Sequence, residues 1–127
     1  MGFWIFMLIA DLLIPTTMMV FGKLFMKKAP DSINPVFGYR TAMSMKNKET
    51  WEFAHQYCGR LWWIWGVAMA FTTVVLFLVL LGSDTDVIGT AGGILCFLQF
   101  LPLIGVILPT EKALRKNFDK DGSRIND

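Results

Sequence analysis

The chain has 127 residues, 54% of them hydrophobic, with 12 Lys and Arg against 10 Asp and Glu and a single His. A chain this short and apolar leaves little for a separate soluble domain, and a net charge of +2 does not mark a nucleic-acid binder. Two cysteines do not make a disulfide framework, because Cys58 sits at the end of one apolar run and Cys96 inside another.

The first apolar run, Gly2 to Gly22, carries one charge, Asp11. Met1 to Ile14 has neither the leading positive charge nor the small-residue cleavage site of a signal peptide, so the run is expected to be retained as a helix. Phe6 stands where a myristoylation signal wants Ser or Thr. Leu61 to Leu81 and Val87 to Leu108 carry no charge. All three exceed the ~18 apolar residues that separate a membrane span from a soluble core helix. The sequence therefore predicts an all-α integral membrane protein, one domain of three transmembrane helices with a cytoplasmic loop helix. The spans fall at about 2–22, 61–81 and 87–108, the loop at 23–60 and the tail at 109–127.

Every Lys and Arg lies in that loop or that tail, whereas the link Gly82 to Asp86 has only Asp84 and Asp86. The positive-inside rule then puts loop and tail in the cytoplasm and the N-terminus outside. The basic belt anchors this topology and touches anionic headgroups of the bilayer.

Within the loop, Pro30 and Pro35 disfavour helix before them, so Ala29 to Phe37 reads as extended or turning chain. From Asn47, a good cap, the pattern is helical with no proline before the second span. At about 100° per residue, Asn47, Trp51, His55, Cys58 and Trp62 share one narrow face that mixes polar and aromatic groups.

The spans hold a polar layer. With about 1.5 Å of rise per residue, Asp11 lies roughly 13 Å below the outer end of its helix. Thr72 and Thr73 reach about that depth on the antiparallel second helix, and Gln99 on the third. A carboxyl at mid-bilayer costs on the order of 3 kcal/mol on insertion scales unless it is neutral or paired. The layer is either interhelical glue or a proton- or ion-responsive site. Gly66 with Ala70, and Gly89 with Gly93, have the spacing that lets helices approach closely, and Pro15 and Pro102 interrupt two helices at similar depth. So thin a bundle favours a homodimer.

In the tail, Glu111 and Arg115 form an i,i+4 pair and Asp121-Gly122 marks a turn. Asp119, Asp121 and Gly122 match part of a calcium loop whose other ligands are missing. His55 and Cys58 lack the further thiols or imidazoles of a metal site, and no cofactor or catalytic motif occurs.

Asn34, Gly38-Tyr39-Arg40-Thr41, Ser44, Asn47, Thr50-Trp51, His55 and Gly59-Arg60, with Phe118-Asp119 and Gly122 in the tail, resemble the signature of the SdpI family of small bacterial membrane proteins. That family is best known for immunity to a secreted peptide toxin. The resemblance implies a multi-helix protein of the bacterial cytoplasmic membrane that binds a peptide toxin or a cytosolic regulator, with Asn34, Tyr39, Arg40, Thr41, Ser44, Asn47, Trp51, His55 and Arg60 as binding residues.

The residues also have readings of their own. Gly38 suits a tight turn that aims Tyr39 and Arg40 at the bilayer surface. Arg40 either chelates a carboxylate or phosphate or snorkels to headgroups. His55 is either a pH switch or a structural residue bonded to a neighbouring loop. A small ion-coupled transporter using Asp11, and an enzyme using His55 and Arg40, are the alternative functions.

Overall fold

The computed structural model describes residues 1–34 and 38–125; of the segment expected to be extended or turning, Pro35, Val36 and Phe37 lie outside the described residues. Four helices follow in order: α1 (Gly2–Lys27), α2 (Lys48–Val79), α3 (Thr85–Gly105) and α4 (Ile107–Asn117). Three of the helical stretches, with α3 and α4 taken together, are long and apolar enough to cross a membrane. Their outer faces show large apolar side chains, with Phe71 and Phe97 each 71% exposed, a surface that suits lipid rather than water.

The predicted loop helix and second span are one element. Asn47 caps it reciprocally: its side chain accepts from Thr50 N at 2.9 Å, and the Thr50 hydroxyl accepts from Asn47 N at 3.1 Å. The 32 residues of α2 span about 48 Å at 1.5 Å each, against a hydrocarbon core of about 30 Å. The polar first turns, Lys48 to Arg60, therefore project beyond the apolar part that begins at Leu61.

Asp84 caps α3 by accepting from Val87 N at 3.0 Å, and Asp86 in the first turn favours the positive end of the helix dipole. The helix ends at Gly105 rather than Leu108, three residues after Pro102, which cannot donate to the carbonyl of Leu98. Only Val106 separates it from α4.

α1 packs along α2 and against α3, and it is the element that joins the other two. At the link end Phe77, Leu80 and Ile88 pack with Trp4, Met7 and Leu95, and the Trp4 indole donates to Phe77 O at 2.8 Å. At the charged end Ala54, Leu114 and Phe118 pack with Tyr39, Met43 and Phe53.

The α1–α2 contact turns on glycines that the small-residue spacing did not single out. A Cβ on Gly22 would lie 2.7 Å from Gly59 O, and one on Gly59 2.6 Å from Gly22 O. Gly66 is also pressed against α1, 3.0 Å from Pro15 O by the same construction. On α3 the close packing falls to Gly92, against Met7 and Asp11, whereas Gly93 faces open space.

The tail folds back on the charged end. Gly122 takes φ +85°, Asp119 Oδ1 accepts from Asp121 N and Ser123 N, and Arg124 pairs with Glu49 at 2.7 Å. The expected Glu111–Arg115 pair is absent among the described residues, because Glu111 instead accepts from the Tyr39 hydroxyl at 2.8 Å.

Candidate functional site

His55 organises the loop. It is completely buried on the projecting part of α2, between Phe25 edge-on at 4.8 Å and Trp51 at 4.3 Å. Its Nε2 accepts from Tyr39 N at 2.8 Å, so the ring proton sits on Nδ1 and is donated to Trp51 O, also at 2.8 Å. Both nitrogens are thus engaged, and the ring is neutral in this arrangement. Burial holds its pKa below the ordinary value. Gly38, at φ +109°, makes the approach possible, since a Cβ there would lie 2.6 Å from Nε2.

The chain is held on both sides of Arg40. Before it, Tyr39 is tied through its amide to His55 and through its hydroxyl to Glu111. Burial and the Glu111 carboxylate raise the Tyr39 pKa above the ordinary phenol value. After it, Thr41 N donates to Ser44 Oγ at 2.9 Å, Ser44 N donates to Thr41 Oγ1 at 3.2 Å, and Ser44 Oγ donates back to Tyr39 O at 3.0 Å. The Thr50 hydroxyl, 3.1 Å from Ser44 O, ties this turn to the start of α2. The Trp51 indole donates to Pro30 O at 2.9 Å, and the Asn47 amide to Gly122 O at 2.7 Å. Arg40 itself is exposed and has no hydrogen bond or ion pair among the described residues.

Arg40 lines an apolar groove of about 430 Å³ where the loop meets α1, α2 and the α3–α4 junction, together with Phe21, Phe25, Trp62, Leu103 and Ile107. The Trp62 indole donates to Leu103 O at 3.2 Å, bracing α2 against α3 where the helix is about to end. His55 does not line this groove. The structure thus brings Tyr39, Arg40, Thr41, Ser44, Asn47, Trp51 and His55 together. The Asn34 amide donates to Ser32 O at 3.1 Å, and Arg60 is exposed over the Tyr57 ring at 5.5 Å.

Three members of the polar layer also meet. Asp11, Thr73 and Gln99 are each at most 1% exposed. Pro15 has no N–H to give the Asp11 carbonyl four residues earlier, and the Gln99 amide takes that place, donating to Asp11 O at 2.8 Å. The same nitrogen donates to Thr73 Oγ1 at 3.1 Å. Thr72 does not join them: it is exposed and bonds back to Ala68 O at 2.9 Å. Among the described residues no three His, Cys, Asp or Glu side chains gather as a metal centre would require.

Sequence reading did not assign Gly22 and the signature residue Gly59 to the α1–α2 contact, nor Glu111 as the partner of Tyr39. For the glycines a signal existed in the seven-residue interval from Gly59 to Gly66, two helical turns on one face of α2. For Glu111 there was none, because its partner lies 72 residues away.

Three apolar helices with a hydrogen-bonded polar module closing one end define a small multi-span membrane protein. The pattern that characterises the SdpI/YfhL protein family matches residues 32–110, which run from the loop through α2 and α3 into α4, and the chain belongs to that family. No match is found among curated proteins or among solved structures.

Proposed function

We propose that this SdpI-family protein gives immunity or stress protection by binding a peptide toxin at the bacterial cytoplasmic membrane, with its N-terminus outside and its charged end in the cytoplasm. The reading is binding rather than catalysis. Its support is Arg40, an exposed guanidinium with no ion pair among the described residues, on a tightly held stretch of backbone and lining an apolar groove. A peptide that enters the membrane offers an apolar stretch for the groove and a carboxylate for the guanidinium, which binds carboxylates bidentately. The other signature residues hold this presentation in place.

The test pairs cell survival with stability. Arg40→Ala should insert at normal levels and melt within about 0.5 kcal/mol of the parent, as surface changes do, yet cells expressing it should lose protection against the toxin. His55→Ala should lose both fold and protection. An Arg40→Ala protein that protects fully rules out this groove as the binding site.

A further inference from the structure

Asp11 presents a problem that the glue reading leaves unsolved. Its backbone carbonyl is satisfied by Gln99, but neither carboxyl oxygen has a hydrogen-bond partner, and both are buried. Gln99 Oε1 is likewise buried and without a donor. Two residues in hydrogen-bonded contact thus carry three buried acceptor oxygens with no donor for any of them.

The surroundings offer no counter-charge. Met7 and Phe77 crowd the point where Gly92 lies against Asp11 Oδ2, 3.2 Å from a Cβ built on that glycine. Thr73 faces the cluster from α2 and already spends its proton on Met69 O at 2.7 Å. From α3 come Gly92 and Gln99, and Cys96, between them in sequence and half-buried, is the other titratable side chain within the apolar runs. An ionised carboxylate placed here would lack both a cation and a hydrogen bond, the arrangement a low-dielectric interior penalises most.

We propose that Asp11 is a proton-binding site at the centre of the bundle, a neutral acid whose hydroxyl is donated to Gln99 Oε1. One proton then resolves the conflict: it converts a carboxyl oxygen from acceptor to donor and satisfies the orphan oxygen of Gln99. The Gln99 amide nitrogen lies 2.8 Å from the backbone carbonyl of Asp11, which puts the two residues in direct contact. Loss of the proton to water leaves a carboxylate that needs solvent. The opening for it lies beside Gln99, which also lines an apolar groove of about 580 Å³ between α2 and α3, with Thr72 on the α2 wall. The inference is independent of the peptide-binding reading, because it concerns the middle of the spans and not the Arg40 groove.

Infrared spectroscopy of the full chain in detergent reads the site directly. At neutral pH the wild type should show a protonated-carboxyl stretching band that Asp11→Asn loses, since the other described carboxylates are exposed or, as Glu111 is, half-buried and hydrogen-bonded. The band should fade as pH is raised beyond the range in which exposed carboxylates ionise. Gln99→Leu, which removes the acceptor but keeps the acid, should retain the band and shift it to higher frequency; this variant carries the test if Asp11→Asn does not fold. Absence of the band at neutral pH, or no shift in Gln99→Leu, overturns the proposal. Loss of the band on adding sodium at constant pH also overturns it, by making the ligand a metal cation.

Discussion

His55 works through two opposite hydrogen bonds, accepting at Nε2 from Tyr39 and donating at Nδ1 to Trp51. Protonation turns Nε2 into a donor facing the Tyr39 N–H, so the charged ring cannot keep the loop in place. Because burial lowers the folded-state pKa from 6.5, the unfolded chain binds the proton more readily. Stability from this source is therefore complete above that ordinary value and is lost as pH falls through it toward the lowered one. Melting curves from about pH 7.5 down to about pH 5 should show Tm falling more steeply in the wild type than in His55→Gln. Parallel curves would mean that the imidazole does not titrate in folding. The sequence placed His55, Tyr39 and Arg40 within one motif. It could not show that His55 is consumed by the backbone of Tyr39 while Arg40 is left free, because that division depends on a contact across 16 residues.

At the level of elements, α1 and α2 approach so closely at Gly22 and Gly59 that side chains there would meet backbone, which cannot yield as a flexible side chain can. Gly59→Val should therefore destabilise the protein in detergent by about 1–3 kcal/mol or prevent folding. Gly93→Val, on the open face of α3, should leave Tm essentially unchanged. Equal losses in the two variants would contradict the packing. The Gly89 and Gly93 spacing was legible, but its partner was not: periodicity identifies a smooth helix face without saying whether a neighbour lies on it. The helix on which the close contact falls, and the register of Gly92 over Gly93, come from the rotation of α3 set by Gln99 and Ile88.

The whole molecule is polarised, with basic residues at the end closed by the loop and tail and two acidic residues in the link at the other. The positive-inside rule predicts that the loop and tail face the cytoplasm, an expectation open to direct measurement. A reporter fused after Asp127 should read as cytoplasmic, and a cysteine at Ser83, in the link between α2 and α3, should react with an impermeant thiol reagent added outside. The native thiols give little background, as Cys58 is buried and Cys96 half-buried. An external C-terminus or an unreactive position 83 would reverse the assignment and move the Arg40 groove to the outer face.

The three long apolar helices, the helical start at Asn47 and the family of the chain could all be read from residue order, because membrane insertion and capping depend on local composition and spacing. Asp11, Thr73 and Gln99 could be placed at one depth for the same reason, since rise per residue is constant in a helix. Rotation about the helix axes is a different quantity, set by which side chains pack across elements. It alone decided that Thr72 turns away while Thr73 meets Gln99, that Glu111 binds Tyr39 instead of Arg115, and that Pro15 leaves a carbonyl which Gln99 fills. It also left the Asp11 carboxyl enclosed without a donor, a condition that no one-dimensional pattern contains because it arises from the other helices packed around it.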